Sequence, residues 1–284
     1  MAKEFSEFFT SIGQNTVDKI YSLANECSYD LTQPSFVPRC YLPSQQFSFR
    51  PVNCGEVEKA ITSMPSDKAR GIDKSSIRVI KRSLPAILPS VTSIINEPLA
   101  SSAFPMEWKT AEVIPVLKGG DHEKPNNYRP ISLLPVLSKL CERIALNQLM
   151  PYLVQNDRLS VHQSGNKKWH STETSLIHTS DRILTAIDQK KTSAVVLLYM
   201  SKAFDSVNHN ILVNKLQDIG LSPSAIQWFR SYLSDRYQAV RINTAISEPL
   251  LMRSGVPQGS ILGPLLFTVY ANDLPSIPQH GLIR

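Results

Sequence analysis

Proline limits this chain before any other feature does. It occupies 20 of 284 positions, about 7%, and the 20 are scattered rather than clustered; an average protein carries ~5%. Because its ring fixes φ and removes a backbone donor, proline ends helices and stays out of central strands. The chain is therefore expected to form many short elements with sharp boundaries, and a coiled coil or long-helix repeat is excluded. With 42% hydrophobic and 19% charged residues it has material for a sizeable core and is too apolar for intrinsic disorder. Its length allows one large domain or two modest ones.

The longest apolar runs, residues 194–200 and 261–271, fall short of the ~18–20 residues that cross a bilayer. The opening MAKEFSEFF lacks the basic-then-apolar order of a signal peptide. Cys27, Cys40, Cys54 and Cys141 are widely spaced and form no C-x-x-C pair. Reduced thiols are expected, and neither structural zinc nor a disulfide framework. These features together predict an intracellular protein, nuclear or cytoplasmic, with no membrane partner. The formal net charge of +6 permits a nucleic-acid partner without requiring one.

Apolar residues at helical spacing over 5–12 and 17–24, offset around Gly13, predict a helical lead-in broken or kinked at that glycine. Pro34, Pro38, Pro43 and Pro51 mark 27–51 as a linker, with a boundary near residue 50. Val57, Ala60, Ile61 and Met64 suggest a short helix. Six of the fifteen residues from Lys68 to Arg82 are Lys or Arg, which reads as a solvated face or a phosphate-binding one. Further on come a proline-punctuated helical stretch (86–102), a strand (111–117) and helices over 136–153 and 172–189. A fully buried, β-rich strand is expected at 193–200. Helices at 210–219 and 224–233 follow, the second opened by Ser222-Pro223. A strand at 237–243 paired with 250–253, a loop at 255–259 and a helix at 260–270 complete a mixed α/β chain.

Three segments turn this description toward chemistry: NYRPISLL (127–134), LLYMSKAFDSV (197–207) and SGVPQGSILGPLLF (254–267). Further matches are HQSGNKKWHSTET (162–174), WFRSYLSDR (228–236) and FTVYANDLPSIP (267–278). In this order and at these intervals they resemble the reverse transcriptase domain of non-LTR (LINE-type) retrotransposons, over most of the chain beyond residue 50. The resemblance implies the α/β (α+β) fold of a right-hand polymerase. Residues 1–50 would be a helical lead-in and linker, 51–190 a fingers-like region, and 191–284 a partial palm with a small antiparallel sheet. It also implies dNTP addition to a DNA primer on an RNA template by a two-Mg²⁺ mechanism.

Transfer of a nucleotide needs cations beside the triphosphate and carboxylate-bound metals at the α-phosphate. By resemblance Arg129 faces the incoming nucleotide, where a guanidinium makes bidentate phosphate contacts; read alone, it is an Arg paired with a surface acid. Phe204 matches the bulky residue beneath the sugar that excludes a 2′-hydroxyl; read alone, it is a core aromatic. Gly255, Gln258 and Gly259 match the loop where backbone and glutamine approach nucleotide and template, with Pro257 stiffening the turn. Lys68, Arg70 and Lys74 fall in a loop beside template and primer, though KARGID puts Arg70 and Ile72 where the family has prolines.

The family holds its two Mg²⁺, about 3.5–4 Å apart, with three aspartates. The first belongs five residues before Phe204, where this chain has Tyr199. A phenol of pKa ~10 is a poor ligand for a hard cation. Asp205 matches the second Asp of that motif, which is not a metal ligand. The adjacent Asp-Asp pair lies beyond the sequence. Tyr270-Ala271-Asn272-Asp273 imitates it by letter and reads as a helix end before the Pro275 turn. No intact catalytic residue and no bound Mg²⁺ are therefore expected. The alternatives are a non-catalytic binder of RNA or primer–template, and a product left unstable by exposed strand edges.

Overall fold

A computed structural model describes residues 1–28, 41–165 and 169–276. It opens with α1 (Ala2–Glu26), one continuous helix of 25 residues. The expected break at Gly13 does not occur. Phe5, Phe9 and Ile12 seat against Val113 and Val240 on one face of a sheet, and that packing carries the helix through the glycine. What Gly13 provides is room: a Cβ there would collide with the side chain of Ser254. Residues 29–40 of the expected linker lie outside the described residues. Within 41–51, Phe47 and Phe49 pack onto the core, Phe47 buried with its backbone N–H and C=O both bonded to the 220–222 turn at 2.9 Å.

The capping box of Asn53 and Glu56 opens α2 (Cys54–Ser63). The next element departs from expectation. One helix, α3 (Ile77–Ser101), runs for 25 residues through Pro85, Pro89 and Pro98. Pro85 and Pro89 are exposed, so the carbonyls they leave without donors face water. Leu84, Val91, Ile95 and Leu99 bury the opposite face. Tertiary burial thus outweighs the local cost of the prolines.

An antiparallel hairpin follows, β1 (Thr110–Leu117) with β2 (Tyr128–Leu133), and it sets Arg129 opposite Val116. A long crossover holds α4 (Val136–Gln155), α5 (Thr172–Asp188), α6 (His209–Asp218) and α7 (Pro223–Leu233). It delivers β3 (Arg236–Ile242) parallel to β1, from Thr110↔Tyr237 to Val113↔Val240. Strands β4 (Ala245–Ile246) and β5 (Leu250–Met252) pair antiparallel with β3, and α8 (Gly263–Tyr270) follows. The fold is mixed α/β. Its small sheet is antiparallel except for the β1–β3 pair, and it draws strands from both sides of residue 190.

The main core lies among the helices. Trp228, Phe229 and Tyr232 of α7 are fully buried, with Trp228 stacked on Tyr232 at 5.6 Å and Phe104 edge-on to both. No helix among the described residues is long and apolar enough to cross a membrane.

The expected buried strand at 193–200 is the main correction. These residues have no strand partner among the described residues and are exposed, Leu197 at 91% and Tyr199 at 86%. A β-rich run becomes a strand only where a neighbouring strand lies alongside it, and none does here. Leu176, Ile177, Leu184 and Ile187 of α5 are also exposed.

Candidate nucleotide and nucleic-acid site

The three sequence segments converge on the loop between β5 and α8. Gly255 and Gly259 have φ of +82° and +117°. A Cβ would lie 2.9 Å from the Asp205 carbonyl oxygen at the first and 2.7 Å from that of Ser132 at the second. Backbone therefore packs on backbone, which only glycine allows. The N–H groups of Gly255 and Val256 donate to the carbonyls of Val207 and Phe204 at 2.8 and 2.9 Å. The Ser132 N–H donates to the Gln258 carbonyl at 2.7 Å.

Gln258 and Asp205 join through their side chains. Gln258 Nε2 donates to both carboxylate oxygens at 2.8 Å. Burial pushes the Asp205 carboxyl above its ordinary range, partly offset by this bond and by Lys202. Lys202 Nζ donates to the carbonyls of Asn126 and Tyr128 at 3.1 and 3.2 Å, tying the 202–207 turn to the start of β2. Phe204 is half-buried and stacks on Phe267 of α8 at 5.1 Å.

Arg129 stands exposed on β2, and among the described residues its guanidinium has no ion-pair partner. Lys68 and Arg70 are exposed in a loop whose Gly71 lies directly on the Leu134–Pro135 peptide, just past β2. Lys74 is already committed. Its Nζ lies 2.9 Å from the buried carboxylate of Glu112 on β1, which also takes Arg241 Nε at 2.6 Å.

Two supporting residues escaped the sequence reading. Glu142 of α4 is fully buried and accepts the N–H groups of Ile261 and Leu262 at 2.5 and 3.3 Å, fixing the entry to α8. Its only sequence signal is a carboxylate on an apolar helix face. His209 Nε2–H donates to the Gly255 carbonyl at 2.7 Å, and burial lowers its pKa.

These residues do not fit a two-metal centre. Tyr199 carries a solvent-exposed phenol, and Gln258 takes both oxygens of Asp205. Asp273 pairs with Lys215 at 2.5 Å, while Asn272 bonds the backbone of Arg158 and Ser160. Among the described residues, no group of three or more His, Cys, Asp or Glu side chains could hold a metal ion.

The model of the family described as reverse transcriptase (RNA-dependent DNA polymerase) matches residues 116–281. The chain belongs to that family. It is 38% identical over 227 residues to the probable RNA-directed DNA polymerase from transposon BS of Drosophila melanogaster, covering 80% of this chain and 25% of the relative. To the RNA-directed DNA polymerase from mobile element jockey of the same species it is 32% identical over 226 residues, covering 79% and 25%. The chain thus spans about a quarter of the length of these curated relatives. A solved partial Cas6-RT-Cas1–Cas2 complex is similar at a TM-score of 0.43 and 18% identity, covering 78% of this chain and 33% of that one.

Proposed function

We propose that this chain is the primer–template- and nucleotide-holding part of a non-LTR retrotransposon's RNA-directed DNA polymerase, and that as it stands it binds without extending the primer. One observation carries this reading. The loop of Gly255, Gln258 and Gly259 is assembled against Asp205 and Ser132, while Tyr199 stands where the metal-binding carboxylate belongs. Binding needs cations, shape and backbone approach, which are present; catalysis needs carboxylates on Mg²⁺.

In this reading 51–190 act as fingers and the residues beyond 190 as part of a palm. Arg129 takes a phosphate of the incoming dNTP. Phe204 lies beneath its sugar, its ring held by Phe267. Lys68 and Arg70 track the primer–template backbone, and Lys74, through Glu112, positions their loop. Mg²⁺ serves related polymerases and is not bound by this chain. The protein works in the reducing interior of the cell, nucleus or cytoplasm, where Cys27, Cys54 and Cys141 remain free thiols.

Filter binding of an RNA–DNA primer–template across a salt titration tests this. Affinity should fall linearly on a log–log plot, and Lys68→Gln/Arg70→Gln should lower the slope by about 0.7–0.9 per lost phosphate contact, while Arg129→Gln, at a residue that faces the dNTP, should leave it unchanged. A flat salt response, or no binding at low salt, rejects the reading.

A further inference from the structure

Lys109, just before β1, belongs to none of the machinery above. It is only 3% exposed, and its ammonium has no hydrogen-bond or ion-pair partner among the described residues. The ammonium is attracted by the Asp235 carboxylate without an ion pair to it, and a cation on so largely buried a side chain favours a further anion. Burial holds its pKa below the ordinary lysine range.

The side chain lines a cleft of about 510 Å³. Arg230, from the last turn of α7, and Arg253, just after β5, line it as well, against one carboxylate, Asp235. Both arginines are exposed and lack ion-pair partners among the described residues. The N-terminus of α6 opens onto the same cleft through Asn208, His209 and Asn210. Asn208 Oδ1 caps the Ile211 N–H at 3.1 Å, and the first N–H groups of the helix have no intrahelical acceptor. The C-terminus of α7 also borders the cleft and would repel an anion, but Arg236 Nη1 occupies its Tyr232 carbonyl at 2.9 Å.

We propose that this cleft is a phosphate-binding site. Lys109 is the buried anchor, Arg230 and Arg253 reach the outer oxygens, and the α6 N-terminus donates from the wall. His209 connects the site to the Gly255 carbonyl, so an occupant would sit one side chain from the glycine loop. The phosphate can come from a nucleic-acid backbone or from a free phosphate or nucleotide.

Thermal unfolding of the full chain in inorganic phosphate, against chloride at matched ionic strength, tests the site. Phosphate should raise the Tm of the wild type. Arg230→Gln/Arg253→Gln, which alters only exposed side chains, and Lys109→Met should each weaken apparent phosphate affinity by about tenfold or more. The exposed double variant keeps the test valid if Lys109→Met perturbs folding. A single-stranded oligonucleotide separates the sources. Loss of about 0.7 from the salt slope per missing contact in the double variant identifies a strand backbone. An unchanged slope alongside a lost phosphate response identifies a free phosphate or nucleotide. Equal responses to phosphate and chloride, or a phosphate response that survives in the double variant, overturn the proposal. The phosphate arm needs no primer–template, so it stands or falls separately from the polymerase reading.

Discussion

Gln258 holds Asp205 by both carboxylate oxygens, at 2.8 Å each, and through its own carbonyl also holds Ser132 of β2. Three segments that are remote in sequence therefore meet at one glutamine. Asp205, the second Asp of its motif and by resemblance not a metal ligand, anchors the glycine loop.

Gln258→Leu leaves that carboxylate with its main donor gone. The expected loss is about 1.5–3 kcal/mol, the range for a hydrogen bond to a charged group. Adding Asp205→Asn should recover part of it, because no charge is then left buried without a donor. Urea denaturation of the single and double variants measures both effects.

Gly13→Ala should destabilise the chain, although alanine is the better helix former by about 1 kcal/mol. The new Cβ would meet Ser254, and overpacking costs typically ~1–3 kcal/mol. Ser254→Gly in the same chain should restore stability. A double-mutant cycle read by denaturant titration reveals the coupling.

Much of the fold is legible in the sequence where local signals agree with burial. The Ser222-Pro223 opening of α7 and the pairing of β5 with β3 are both found. Local signals mislead where tertiary packing overrides them. Gly13 looks like a break and Pro85 like a helix boundary, yet each lies inside a helix held by one buried face. Residues 193–200 mislead in the opposite way: composition marks a buried strand, but a strand needs a neighbour that composition does not supply. The site divides similarly. Gly255 and Gly259 show their role as letters in a motif, whereas Glu142 and His209 act through distant backbone groups that no spacing reveals.

Two buried glutamates should shape the pH dependence in opposite directions. Burial pushes Glu112 up, but Lys74 and Arg241 outweigh it and hold the carboxyl below its ordinary range. Its contribution to stability is present above the unfolded value, about 4.3, and is lost as pH falls through the folded one. Burial raises Glu142, with Arg236 and the N–H groups of Ile261 and Leu262 opposing. Its contribution is present below about 4.3 and declines as pH rises toward the folded value. Unfolding free energy against pH should lose its acid slope in Glu112→Gln. In Glu142→Gln it should flatten on the neutral side.

The exposed run at 195–200 predicts self-association without a stability role. Val196→Ser/Leu197→Ser should reduce light scattering of concentrated protein while changing unfolding free energy by no more than about 0.5 kcal/mol per site. A large drop in stability would mean that these side chains are packed.

The proposed role of this chain is to hold primer–template without the carboxylates to extend it. The direct measurement is primer extension on an RNA template with dNTPs and Mg²⁺, using protein that retains the same primer–template on a filter. No incorporation above a protein-free control is expected, in wild type and in Tyr199→Asp alike. Template-dependent extension by the wild type would contradict it.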